Sequence, residues 1–374
     1  MTSKLFSPFT LRDLELANRI VVSPMCQYSA EDGAANDWHQ AHLTMLSNSG
    51  AGLLMTEMTM VERDGRITPG CLGIYSDSHV SALKRVIESC RHWGSAKLGM
   101  QLGHAGRKGS SNVPWREGGA PLKSGDGAWQ TMAPSAIPFG ENWPAPKPLS
   151  KPEIERIIKS FVAAAKRADR AGFDLIELHG AHGYLLHQFL SPLSNQRDDE
   201  FGGSRDNRMR FPLRVAEAVR AAWPERKALG ARITGTDWLE GGWTPDDAVA
   251  FAGALKQRGF DYCDVSGGGV VPTAPIPIGP GYMVQFAEKV KREAGIATRA
   301  IGMIVTPQQA EDIIASGRAD LVAMARAFLD DPHWGWHAAE ALGGAVKLPP
   351  QYARAGAGLW PGAKLLRPEA KTAE

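Results

Sequence analysis

Two histidines, His179 and His182, stand three residues apart and Tyr184 follows closely, in the run His179-Gly180-Ala181-His182-Gly183-Tyr184. Neutral or partly charged imidazoles can donate hydrogen bonds to an oxygen that gains charge during a reaction, as an oxyanion hole does. A phenol above the same site can give up its proton as a general acid, although the spacing equally admits a packed aromatic. The histidine pair also admits a metal site or two structural histidines. A metal wants a third ligand and an open position, and no carboxylate or cysteine lies at suggestive spacing nearby. Donation to a substrate oxygen is the reading carried forward.

A second group of residues asks for an anion. Gly302 follows the apolar run Thr298–Ile301, and Ala325-Arg326 follows Leu321–Ala323. A glycine permits close backbone approach, and an arginine adds a fork of charged donors. Each alone would be a turn or a surface cation. Together, at matched strand ends, they predict a phosphate site. Gln101 and Arg232 also close apolar runs, and an arginine there is costly unless an anion or an acceptor satisfies it. Cys26, in Ser23-Pro24-Met25-Cys26-Gln27-Tyr28, could contact a cofactor or pack as a small hydrophobe.

These positions make sense together only if strands deliver them to one rim. Eight short apolar runs qualify: Ile20–Ser23, Gly52–Thr56, Lys97–Leu102, Leu175–Leu178, Gly230–Ile233, Tyr262–Val265, Thr298–Ile301 and Leu321–Ala323. Amphipathic stretches lie between them, among them Ser78–Trp93, Lys151–Ala171, Asn207–Trp223 and Pro245–Arg258. The helix exits Gly172-Phe173-Asp174 and Gly259-Phe260-Asp261 are near copies, with Gly317-Arg318-Ala319-Asp320 a variant. The alternation predicts a (β/α)8 TIM barrel, whose site lies at the C-terminal ends of the strands. The segment His104–Pro148, rich in Gly, Pro, Ser and Trp, interrupts the rhythm after the third strand and is expected to be an active-site loop packed as a lid. Periodicity fades beyond Trp336. Residues 1–345 are therefore assigned to the barrel and 346–374 to a C-terminal arm and tail, with the last residues mobile.

Composition narrows the function. The 374 residues are 43% hydrophobic and 22% charged, enough for a sizeable core and an ordinary water-facing surface. A formal net charge of +2 argues against a nucleic-acid partner. No apolar run approaches the roughly 20 residues of a membrane helix, and Met1 to Phe9 does not read as a signal peptide. The cysteines Cys26, Cys71, Cys90 and Cys263 form no Cys-x-x-Cys pair, and three of the four are expected to be no more than reduced thiols of a cytoplasmic protein. No Gly-x-Gly-x-x-Gly follows a strand, so no dedicated dinucleotide fold is visible.

From Leu5-Phe6 to about Arg354 the chain resembles the Old Yellow Enzyme family, in the branch of bacterial xenobiotic reductases and YqjM-like ene-reductases. The motifs that carry the resemblance include Asn18-Arg19-Ile20, Ser23 to Cys26, Gly65-Arg66-Ile67-Thr68, Gln101 to Lys108 and Ala133-Pro134-Ser135-Ala136-Ile137. Further matches are His179 to Tyr184, Ser191 to Asn195, Asp199 to Ser204 and Gly317 to Asp320.

The resemblance implies non-covalent FMN reduced by NADPH or NADH. It implies that Ser23, Pro24, Met25 and Cys26 line the isoalloxazine, with the Met58 backbone at its edge and Gln101 and Arg232 on its pyrimidine side. Ser266, Gly302, Ala325 and Arg326 would hold the ribityl phosphate. His179 and His182 would bind the carbonyl or nitro oxygen of an activated alkene, with Tyr28 lining the pocket and Tyr184 as proton donor. Arg354 matches an arginine that, in some relatives, reaches into a neighbouring subunit, so a homodimer or homotetramer is implied. Met58 stands where the branch often has Ala, and Ile301 where one relative has a tryptophan. Three rival readings are an aromatic acyl-CoA reductase or monooxygenase with Lys108 or Arg116 serving the CoA, a metal-assisted lyase using the two histidines, and a flavin-storage protein.

Overall fold

The repeated Gly-x-Asp exits explain how the strands begin. In the computed structural model, which describes residues 3–355 and 359–366, Gly172, Gly259 and Gly317 end their helices at φ of 100°, 78° and 76°. Left-handed backbone of this kind favours glycine. Each aspartate that follows then locks onto a neighbouring strand by two bonds. Asp174 accepts from the Leu98 N–H at 2.9 Å and donates its own N–H to the Leu98 carbonyl at 2.9 Å. Asp261 does the same with Leu229, and Asp320 with Thr298. The free carboxylate oxygens are held by Arg91, Arg12 and Lys291. One device sets three strand registers.

Eight parallel strands close into the expected barrel. They are β1 (Ile20–Val22), β2 (Leu53–Met60), β3 (Lys97–Gly103), β4 (Leu175–Gly180), β5 (Ala228–Thr234), β6 (Tyr262–Ser266), β7 (Ala297–Ala300) and β8 (Leu321–Met324). β8 pairs with β1, Val322 opposite Ile20, to shut the ring. Around it run α1 (Asp37–Ser47), α2 (Asp77–Trp93), α3 (Lys151–Ala171), α4 (Leu185–Leu190), α5 (Arg205–Ala222), α6 (Pro245–Gln257), α7 (Val284–Ala294), α8 (Pro307–Ala315), α9 (Arg326–Asp330) and α10 (Trp334–Leu342). Helices cover the outside and side chains fill the inside, so nearly every strand position is buried and period-two patterning is lost.

Differences from the sequence reading have local causes. β2 runs four residues beyond Thr56, through a bulge between Thr56 and Met58 that a propensity pattern cannot show. A hairpin of Phe9–Leu11 with Leu14–Leu16 precedes the barrel and was not anticipated. Periodicity persists past Trp336, because α10 buries small residues, Gly335, Ala338 and Ala339, whose spacing carries little hydrophobic signal. Of the arm and tail, Pro350–Ala355 forms a 3-10 segment with Arg354 exposed. Residues 356–358 and 367–374 lie outside the described residues, and with the latter the end expected to be mobile.

The long loop after β3 is pinned at its root. Arg107, buried, donates to the carbonyls of Ile137, Pro138 and Val270. Farther out, the Trp129 indole donates to the Asp64 carbonyl at 3.0 Å, and the exposed Trp115 packs edge-on to Tyr28 at 5.8 Å between ring centroids. Tryptophan packing across the mouth fits the lid expected from composition.

Candidate active site

His179 is the penultimate residue of β4, and the chain then turns through His182 at φ 58° and Gly183 at φ 70°. A Cβ on Gly183 would stand 2.0 Å from the Gly269 carbonyl oxygen, and one on Gly269 2.8 Å from the His182 oxygen. The two glycines thus let the loops after β4 and β6 touch. That approach puts His182 Nε2 at 2.6 Å from Ser266 Oγ, while His182 Nδ1 lies 3.2 Å from His179 Nε2. The Ala181 N–H donates to His179 Nδ1 at 3.3 Å, so the His179 proton sits on Nε2, facing His182. His182 then carries its proton on Nε2, facing Ser266. Burial, reinforced by the charge of Arg232, holds both imidazoles well below their usual pKa, so both are neutral donors.

The turn is held mainly by His187, Asp237 and Gln188, to which the sequence alone assigned no role. The Gly183 N–H donates to His187 Nδ1 at 2.8 Å, and His187 Nε2 faces Asp237 at 3.0 Å. Asp237 also accepts from Ser191 Oγ and the Trp243 N–H. These partners keep it below the ordinary carboxylate range despite its burial. Gln188 donates to the carbonyls of Ala105 and Gly183 and accepts from the Arg107 N–H. Lys108 closes the set, donating to the carbonyls of His182 at 2.8 Å and Gly269 at 3.1 Å. Its ammonium also lies 5.0 Å from the centre of the Tyr184 ring. Lys108 is thus committed to these carbonyls and half-buried, while Arg116 is exposed.

Opposite the histidines, Met58, Met60, Ile67, Cys71 and Ala105 form a small apolar cluster, against which Cys26, Tyr28 and Tyr184 pack. Tyr184 also lies edge-on to His179 at 5.0 Å. Burial, with Cys26 and Tyr28 beside it, pushes the Tyr184 phenol well above its ordinary range, so the proton stays on it. Burial, then Glu57 and Cys71, does the same for the Cys26 thiol, which is not a thiolate nucleophile. Glu57, at the bulge of β2, accepts from the Gln27 N–H and faces His39 at 3.3 Å. It shapes the backbone beside Ser23, Pro24 and Met25.

The remaining predicted residues follow the strand order around the rim. Gln101 and Arg232 are buried on β3 and β5. Ser266 ends β6, Gly302 lies two residues past β7, and Ala325 and Arg326 follow β8. Arg232 Nε is buried without a hydrogen-bond partner, as a group awaiting an acceptor would be. Gly302, at φ 108°, passes so close to Met283 that a Cβ would meet Met283 Cβ at 2.9 Å. A bare backbone cradle lies there beside an exposed Arg326. Among the described residues no bond joins Arg354 to this rim; it lies exposed at the end of its 3-10 segment. Ile301 is buried in the core. Among the described residues no three His, Cys, Asp or Glu side chains group as a metal site, so the histidine pair lacks a third protein ligand. No described helix is long and apolar enough to cross a membrane.

Comparison with known proteins agrees with this arrangement. An NADPH dehydrogenase of Geobacillus sp. (strain WCH70) is 46% identical over 356 residues, covering 95% of this chain and 99% of that one. The structure of morphinone reductase in complex with tetrahydroNAD superposes with a TM-score of 0.74 at 27% identity, over 93% of each chain. A 2-naphthoyl-CoA reductase gives a TM-score of 0.81 at 23% identity, which speaks for the fold alone; this chain covers 90% of its own length and 52% of that reductase. Residues 4–343 match the NADH:flavin oxidoreductase / NADH oxidase family. The chain therefore belongs to that family, the one typified by Old Yellow Enzyme, and is an FMN-dependent oxidoreductase that draws its electrons from NAD(P)H.

Proposed function

We propose that the enzyme is an ene-reductase, which reduces activated C=C bonds of α,β-unsaturated carbonyl or nitro compounds by a ping-pong cycle. When bound, FMN would supply the redox chemistry, hydride transfer from a nicotinamide to the alkene. Ser23, Pro24, Met25, Cys26 and the Met58 backbone would line the ring, Gln101 and Arg232 would meet its pyrimidine side, and Ser266, Gly302, Ala325 and Arg326 would hold the phosphate. The partnerless Arg232 Nε and the open Gly302 cradle suit that group.

The observation that carries the reading is the meeting of His179, His182 and Tyr184 with the wall made by Cys26, Tyr28 and Met58. The His179 Nε2 proton faces His182 across 3.2 Å, so a substrate oxygen entering there competes for an N–H already aimed and kept dry. His182, freed from that acceptor role, has its own N–H to turn toward the same oxygen. Charge growing on the oxygen is stabilised by both donors. Tyr184, protonated and edge-on to His179, delivers a proton to Cα. The lack of a dinucleotide motif suits a nicotinamide that binds and leaves by the substrate's own route.

The test is stopped-flow reoxidation of the photoreduced enzyme by 2-cyclohexenone and, separately, by a benzoyl thioester. Rapid reoxidation by the enone, with parallel double-reciprocal plots in turnover, is expected. Reoxidation by the thioester alone would overturn the ene-reductase reading in favour of an acyl-CoA reductase.

The same proposal extends to assembly. Arg354 is exposed at the end of a segment stiffened by Pro349 and Pro350, which lowers the cost of docking on a neighbour. We place it in the partner's active site of a homodimer or larger homo-oligomer. Mixing Arg354→Ala subunits with His179→Ala/His182→Ala subunits should restore activity above either parent, because some sites regain both features. No rescue after proven subunit exchange would exclude action in trans.

A further inference from the structure

Four charged side chains and a tyrosine occupy the barrel interior where aliphatic layers are usual. Glu177 on β4, Asp264 and Tyr262 on β6 and Arg299 on β7 are fully buried, and Arg232 on β5 is nearly so. Arg299 donates to both carboxylates, through Nη2 to Glu177 and through Nε and Nη2 to Asp264. Glu177 also accepts from the Tyr262 hydroxyl at 2.8 Å and from Gln101 Nε2 at 2.8 Å. Asp264 turns its other oxygen, Oδ1, toward Arg232 Nε at 3.6 Å, and neither of these two atoms has a hydrogen-bond partner. A buried ionic network is weak evidence for stability, since packed apolar residues would often do as well. Its placement suggests another use, because it ends on Gln101 and Arg232, the two residues assigned to the flavin pyrimidine.

We infer that Glu177, Asp264 and Arg299 are positioning residues that set the orientation of Gln101 and the effective charge of Arg232 toward bound FMN. The inference rests on the assignment of Gln101 and Arg232 to the flavin. Burial raises the Glu177 pKa, but the Arg299 charge opposes this and three donors converge on the carboxylate, which suits the ionised form, an acceptor only. Gln101 must show it the NH2 end, and its amide oxygen is thereby turned away, free to accept from the ligand. Asp264 stands close enough to Arg232 to offset its charge but too far to take its Nε–H in a bond. The guanidinium is steered from its Nε side, which leaves its Nη donors for the cofactor. With two cations against two carboxylates, the network is neutral as a whole, and Arg232 presents an attenuated positive charge.

The holoenzyme variants Asp264→Asn and Glu177→Gln test this through the FMN dissociation constant in both redox states and the two-electron midpoint potential. Removing either negative charge should favour reduced FMN, the more anionic form, over oxidised FMN by about tenfold, a rise of about 30 mV for a two-electron couple. Arg232→Ala should move the potential the opposite way. If Asp264→Asn does not fold, Glu177→Gln carries the same test. A merely structural network would weaken both redox forms alike and lower the melting temperature with the potential unmoved, which would overturn the inference. If Arg232→Ala also left potential and FMN affinity unchanged, the flavin assignment itself would be what failed.

Discussion

The two halves of the barrel rim are built on different plans. Around β3, β4 and β5, backbone and side chains are tied to one another before any ligand arrives. His187 and Asp237 fix Gly183, Gln188 spans the loops after β3 and β4, and Lys108 bridges the carbonyls of His182 and Gly269. Around β7 and β8 the chain offers a bare glycine, an exposed Met303 at φ 51° and an exposed Arg326. The difference matches two kinds of charge. An oxygen that gains charge only during reaction is best met by donors that need no reorganisation. A permanent phosphate dianion can order its own cation on binding. Damage to the histidine turn of the first half should therefore slow chemistry with FMN retained, and damage to the second should loosen FMN.

The double variant His179→Ala/His182→Ala should break the first half most severely. Enone turnover should fall by about 10²–10³, with phenol binding lost and the flavin spectrum intact. Turnover of cyclohexenone at the parental rate would remove the oxyanion assignment. Next in size, Tyr184→Phe should slow flavin reoxidation by enones about 10²-fold while reduction by NAD(P)H stays nearly unchanged, because only reoxidation needs a proton at Cα. Equal slowing of both half-reactions would make Tyr184 a ligand-positioning residue. The second half of the rim predicts the converse. Arg326→Ala removes a charged donor worth about 1.5–3 kcal/mol, so FMN affinity should weaken roughly 10–100-fold by fluorescence titration. At saturating FMN, turnover should recover. Loss of turnover that excess FMN does not restore would erase the distinction between the halves.

The barrel was open to reading because each strand is an apolar run closed by a polar residue, and because the Gly-x-Asp exits repeat. The residues assigned to ligands sit at or near those closures, so Gln101, His179, Arg232 and Ser266 stood out. Their supports did not. His187 lies among leucines in α4, and Asp237 gains its role only when β5 lies beside β4, a long-range pairing that spacing does not encode. Cys71 was set aside as an ordinary thiol, yet it belongs to the cluster packed against Cys26. For Glu177, Asp264 and Arg299 a signal existed: charged residues inside otherwise apolar strand runs, two of opposite sign paired at one register, Asp264 with Arg299. The bulge at Glu57 left none, because a one-residue slip in β2 is a property of pairing.

The smallest expected effect concerns Lys108, which joins the ordered half of the rim to Tyr184. Burial, then the charge of Arg107, pushes its ammonium down to about 7. Below that pH it is a cation bonded to two carbonyls and placed over the Tyr184 ring. A cation there favours the phenolate that Tyr184 becomes on giving up its proton, and so makes it a stronger acid. As pH rises through about 7 the charge is lost, the phenol weakens as an acid, and proton transfer slows. Enone-driven reoxidation should therefore fall a few-fold between about pH 6 and about pH 8.5, with flavin reduction flat across the same range. In Lys108→Met the reoxidation step should be slow at both ends and lose this descending limb. Should the limb persist in the variant, the titrating group is elsewhere, and Lys108 serves only to tie the loops together.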